Sequence, residues 1–214
     1  IWPQEPAKPR IAFVRAFSSP EDLGISKGFF QQIVEFITGS ADIHMFRPMA
    51  VVVNKDGVIY VADPGSKGVH RFDPVKGRYD LIRMGGGKPL LSPVGLTVAT
   101  EGEVYITDSL LDQVFVIKPG SKKALPFPLK EKIEQPTGIA FDKMKRYLYI
   151  VDTGAHQIKV FGMDGTLYKA FGHRGTGDGE FNYPTLIWID DNPGRIFVTD
   201  SLNFRIQIFD EDGK

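Results

Sequence analysis

The sequence predicts an all-β fold, a β-propeller of four-stranded antiparallel blades, and three observations carry that prediction. Residues 137–142, 147–152, 157–161 and 167–171 are four short apolar or alternating runs separated by tight polar turns, the pattern of an antiparallel meander. Pro48, Pro93, Pro136 and Pro184 each stand before a first strand, and they recur about 45 residues apart, the length of one propeller blade. The second strands read VIYVAD, EVYITD, YLYIVD and RIFVTD and end on Asp63, Asp108, Asp152 and Asp200, in step with the prolines. A single meander is apolar on both faces, so it needs copies of itself to cover them.

Taken in order, residues 1–9 carry three prolines and read as an extended tether. Residues 10–17, RIAFVRAF, predict a lone strand with no hairpin partner nearby, placed to close a ring against the far end of the chain. Over 26–39 the period shifts to 3.6. Phe29, Phe30, Ile33, Val34 and Ile37 form one stripe opposite Gln31, Gln32, Glu35 and Thr38, which predicts an amphipathic helix with Ser26 at its N-cap and Gly39 beyond its end. Such a stripe ordinarily packs on its own domain. As a partner-binding or self-assembly surface it is the alternative, and as a membrane-surface helix it lacks a Lys/Arg cluster. The closing strand and helix make a segment 10–45. Blades follow over about 46–91, 92–134, 135–182 and 183–214, and the last is expected to lack its fourth strand.

Lys plus Arg (26) equals Asp plus Glu (26), so there is no net field to draw in a polyanion, and nucleic acid is not an expected partner. With no cysteine, thiolate metal sites, disulfides and cysteine nucleophiles are excluded. No apolar run has the length of a membrane span. The chain starts at Ile1 rather than Met, so any signal peptide or lipid anchor, and any membrane attachment through it, would lie upstream.

The recurring Asp63, Asp108, Asp152 and Asp200 read as turn residues, since Asp followed by Pro-Gly, Ser-Leu or Thr-Gly accepts amides of the next turn. Residues 49–51, 94–96, 137–139 and 185–187, in the innermost strands, predict an apolar channel lining. His70, His156, His173 and Arg174 are the candidates for binding a ligand. With His44, the histidines occupy four non-equivalent places in the repeat, whereas a metal site needs its ligands to converge at about 2 Å. The segments GGGKP (85–89) and GHRGTGDGEF (172–181) do not lead from a strand into a helix, so they read as crossings between blades rather than phosphate loops.

The motifs DTGAHQIKVF (152–161), DSLNFRIQIF (200–209) and FGHRGTGDGEFNYP (171–184) resemble those of the NHL-repeat β-propellers, over about residues 46–210. Bacterial six-bladed propeller lipoproteins are part of that resemblance. It implies a rigid scaffold whose loops on one face bind a protein, peptide or glycan partner, outside the cytoplasm in the periplasm or cell envelope, with no cofactor. The alternative it implies is a metal-dependent lyase or lactonase, with calcium or zinc at the channel. Asn54, Asp142, Asp190 and Asp191 are the residues to compare with lactonase calcium ligands, and they do not make such a set. With six blades implied and four visible, the chain reads as part of a larger ring. An open blade flank is then expected to associate.

Overall fold

A computed structural model of the chain describes residues 13–25, 44–190 and 194–213. It divides into two units, Ile1–His44 and Met45–Lys214. In the first unit a 3-10 turn spans Glu21–Leu23, and the Asp22 carboxylate accepts the amides of Ser18 and Ser19 at 2.8 and 3.0 Å. The tether and the helix expected over 26–39 lie outside the described residues. The strand expected over 10–17 is not formed in its described part. Residues 13–17 pair with nothing in a ladder, and Phe13 and Val14 are exposed.

The second unit is four sheets, three in simple antiparallel meander order and one whose antiparallel meander is extended at its outer edge by a short hairpin joined in parallel. Blade 1 comprises β1 (Ala50–Val53), β2 (Ile59–Asp63), β3 (Gly68–Asp73) and β4 (Arg78–Ile82). The crossing that follows is not bare loop: β5 (Met84–Gly85) and β6 (Lys88–Pro89) form a small hairpin on the outer edge of blade 2. Blade 2 proper is β7 (Pro93–Val98), β8 (Val104–Asp108), β9 (Gln113–Ile117) and β10 (Ala124–Pro126). Blade 3 is β11 (Pro136–Asp142), β12 (Tyr147–Asp152), β13 (Gln157–Gly162) and β14 (Leu167–Phe171), and blade 4 is β15 (Pro184–Asp190), β16 (Arg195–Asp200) and β17 (Arg205–Phe209). Blade 4 has three strands among the described residues.

First strands adjoin one another, β1 on β7, β7 on β11 and β11 on β15. The core accordingly lies between sheets. One cluster around Tyr60, Leu96 and Ile106 joins blades 1 and 2, one around Ile139, Leu148 and Phe161 is centred on blades 2 and 3, and one around Tyr149, Val160 and Val198 joins blades 3 and 4. Two glycines set how closely first strands approach. A Cβ on Gly95 would overlap the Thr137 carbonyl, and one on Gly138 would stand 2.8 Å from the Thr185 carbonyl. Across the same seams Thr107 donates its hydroxyl to the Thr137 carbonyl, Thr137 to Thr185 O at 2.8 Å, and Thr153 to Pro184 O at 2.8 Å.

The four repeated carboxylates are fully buried, and each clamps the crossing that leads into its blade. Asp63 accepts Phe46 and Arg47 amides, Asp108 accepts Leu91 and Ser92, Asp152 accepts Glu134, and Asp200 accepts Asn182, all at 2.7–2.9 Å. Asp63 and Asp108 also take amides of the turn that follows them, Gly65 at 2.8 Å and Leu110 at 3.2 Å. A buried charge is tolerated when several donors face it.

A candidate binding cleft between blades 3 and 4

The sequence candidates do not come together. His70 is buried on β3. Its Nε2 meets both Ser66 Oγ (3.1 Å) and Asp63 Oδ2 (3.2 Å), and its Nδ1 faces Tyr79 Oη (2.9 Å). A nucleophile–base–acid relay needs serine and aspartate on opposite ring nitrogens; with both on one nitrogen this trio has no such path. Burial lowers the His70 pKa and the Asp63 carboxylate only partly offsets it. His156 sits in the left-handed region (φ 56°), buried in the β12–β13 turn, and accepts the Tyr183 amide on Nδ1 at 3.1 Å. His173 is exposed and meets Glu180 Oε1 at 3.3 Å, while Arg174 bridges to Phe181 in the same crossing. Among the described residues no group of three or more His, Asp or Glu side chains is arranged to hold a metal ion. Asn54 Oδ1 accepts the amides of Asp56 and Val58, and Asp142 Oδ1 those of Met144 and Lys145, so both close turns. Asp191 lies outside the described residues.

What the structure does bring together is a cleft of about 620 Å³ lined by Lys145, Tyr147, Tyr149, Tyr168, Lys169, Glu211 and Asp212, a size that suits a small ligand. Period-two alternation on β12 turns Tyr147 and Tyr149 toward blade 4, where both join the cluster that blade 4 shares. The decisive local feature is a bulge. Val160 pairs with Lys169 and Phe161 with Leu167, so Tyr168 is the extra residue of β14. A bulge re-aims side chains: Leu167 packs toward blade 2, Lys169 falls on the opposite face, and the Tyr168 ring stacks on Tyr147 at 4.8 Å and 22°. Tyr168 remains 64% exposed whereas Tyr149 is buried, which makes a shelf, a wall and a floor.

The charges of the cleft are held in place. Lys145 Nζ meets Glu211 Oε2 at 2.6 Å, and Lys169 Nζ donates to the Glu211 carbonyl at 3.0 Å while lying over the Phe171 ring. The Glu211 carboxylate raises the Lys145 pKa, and burial lowers that of Lys169. Burial, helped by Asp142, pushes the Tyr149 phenol up to about 12, so it keeps its O–H at neutral pH. Two other clefts, one beside Met84 and Leu125 and one beside Asp112 and Lys130, have no aromatic lining. None of the tyrosines or lysines of the blade 3–blade 4 cleft stands out in the sequence. The signal available was the doublet Tyr147, Tyr149 on one face of a strand, which reads equally as core.

Comparison with known proteins agrees with this architecture. A family model described as a 6-bladed beta-propeller matches residues 131–214. Mouse peptidyl-glycine alpha-amidating monooxygenase is 26% identical over 157 residues, covering 67% of this chain and 16% of its own length. Chicken NHL repeat-containing protein 2 is 29% identical over 97 residues, covering 40% of this chain and 13% of its own. The chain thus spans less than a fifth of the length of these relatives. Among solved structures, a gluconolactonase from Xanthomonas campestris superposes with a TM-score of 0.64 at 22% identity, covering 81% of this chain and 61% of that one. A streptogramin B lyase gives 0.64 at 17% identity, covering 82% and 54%. At such identities the structural likeness shows the fold. The repeats, the blades and these matches together make the chain a β-propeller that is similar to NHL-repeat proteins.

Proposed function

We propose that this chain is a non-catalytic scaffold that binds a protein, peptide or glycan partner through one face of its blades, at the cleft between blades 3 and 4. The observation that carries the reading is the composition of that cleft: an exposed tyrosine shelf beside a lysine–glutamate pair, Lys145 and Glu211, that is already formed. Paired, pre-positioned groups recognise a ligand at little ordering cost. Rigid strands supply Tyr147 and Tyr149, and loop ends supply Lys145 and Glu211, the division of labour expected where a scaffold fixes variable contact groups. In this reading the chain works in the periplasm or cell envelope and uses no cofactor, expectations that rest on the resemblance to bacterial propeller lipoproteins. The activities named for its structural neighbours belong to those proteins.

The test is affinity capture from an envelope extract with the wild-type chain and a Tyr168→Ala/Lys169→Glu variant side by side. The reading predicts a partner retained in near-stoichiometric amount by the first and lost by the second, and no bound metal by elemental analysis. One equivalent of calcium or zinc surviving dialysis, together with lactone or lyase turnover, would contradict it and favour the metal-dependent enzyme.

A further inference from the structure

We infer that the blade 3–blade 4 cleft takes a sugar ring of a neutral oligosaccharide; this rests on the binding reading above and narrows it to one ligand class. A pyranose presents an apolar C–H face and a rim of hydroxyls that both donate and accept. It therefore needs a flat aromatic surface on one side and mixed donors and acceptors around it. Tyr168, stacked on Tyr147 at 4.8 Å and left largely exposed, is such a surface. Around it stand Lys145 and Lys169 as donors and Glu211 and Asp212 as acceptors. The Lys145–Glu211 pair, 2.6 Å apart, offers a donor and an acceptor at the spacing of adjacent ring hydroxyls.

Rival ligand classes fit less well. The two lysines and two carboxylates cancel, so nothing there selects a phosphate or another polyanion. An extended peptide would add to the free edge of β14, and the bulge at Tyr168 interrupts the regular hydrogen-bond row of that strand. A peptide anchored by apolar side chains needs a dry pocket, whereas this cleft is walled largely by charged groups.

The experiment is saturation-transfer-difference NMR followed by titration, with a panel of defined trisaccharides: β-1,4-linked glucose, N-acetylglucosamine and xylose, and α-1,4-linked glucose. The proteins are the wild-type chain, Tyr168→Ala, Tyr168→Phe and the remote surface variant Leu125→Ala, each checked for unchanged circular dichroism. The inference predicts that at least one trisaccharide binds, with transfer strongest at its ring C–H protons. Tyr168→Ala should weaken that binding about tenfold or more, while Tyr168→Phe and Leu125→Ala keep it. Binding undiminished in Tyr168→Ala would overturn the cleft as the sugar site. No binding of any trisaccharide at about 10 mM would overturn the ligand class. Failure here leaves the broader reading to be judged by partner capture, where loss in the Tyr168→Ala/Lys169→Glu variant is read without sugars.

Discussion

Blades 3 and 4 are written in the same strand grammar and meet different fates. In blade 3, Ile158 and Val160 on one face and Leu148 and Phe161 on the other are all fully buried, because blade 4 covers the first and blade 2 the second. In blade 4, Ile196 and Val198 are buried against blade 3, while Leu186, Trp188, Ile206 and Ile208 on the opposite face are 55%, 59%, 66% and 57% exposed. The seam near the first strands repeats the contrast. Thr137 and Thr153 share a hydroxyl contact at 2.7 Å and donate to carbonyls of blade 4. Thr185 and Ser201 form the corresponding pair at 2.6 Å on the uncovered side. Apolar alternation makes a blade, but a neighbour makes it a core. The candidate cleft belongs to the joint of the two blades, since blade 3 supplies its aromatic shelf and the turn after β17 supplies Glu211 and Asp212.

The strongest way to break this comparison is truncation on each blade. Ile158→Ala, in the covered blade, should cost about 2–5 kcal/mol in thermal or urea unfolding. Ile206→Ala, on the open face, should stay within about 0.5 kcal/mol. Equal losses would mean that the open face of blade 4 is covered in solution. A second, intermediate effect concerns association. The contiguous apolar face of blade 4 should draw molecules of this 214-residue chain together at micromolar concentration. Trp188→Lys combined with Ile206→Lys should return it to monomer in sedimentation velocity, without loss of strand signal in circular dichroism. A wild-type monomer at every concentration would remove the significance given to that face.

The smallest effect separates the blades by pH. Seven residues after the repeated aspartate the third strand supplies its partner, His70 for Asp63, Lys159 for Asp152 and Gln207 for Asp200. Of these three residue types only histidine has an ordinary pKa near neutrality. Burial first, with a smaller push from Arg83, holds its pKa below the ordinary 6.5, against the opposing pull of Asp63. As pH falls through about 6.5 the unfolded chain therefore takes up a proton before the folded one does, so the folded state loses stability from there down to the folded pKa. Urea midpoints measured between about pH 7.5 and about pH 5.5 should fall for the wild type and fall less for His70→Gln. Parallel slopes for the two proteins would show that His70 contributes nothing to the pH dependence.

Much of the architecture was legible because its signals are local. A period of two, bounded by turn residues, placed β12, β13, β14 and β16 closely, and the aspartate–proline spacing counted the blades. The expected strand at 10–17 failed in its described part because nothing in its own sequence says which edge it would join. The cleft was illegible for a different reason. Tyr168 reaches Tyr147 only through an extra residue in β14, and Glu211 reaches Lys145 only because blade 4 lies against blade 3. Neither a bulge nor a contact across a blade joint leaves a periodic trace.

The central claim is that molecules are recognised at the blade 3–blade 4 joint, and photo-crosslinking tests it without assuming what the ligand is. A benzophenone amino acid placed at Tyr168, and separately at the distant exposed Leu125 and Trp188, abstracts hydrogen from peptide and sugar C–H bonds alike. On irradiation of cells or envelope extract, the account predicts discrete heavy adducts from position 168 that exceed those from 125 and 188. Position 188 should yield adducts chiefly with further copies of the chain itself. No adduct at 168, or the same adducts at 125, would contradict the claim and move the search to another face.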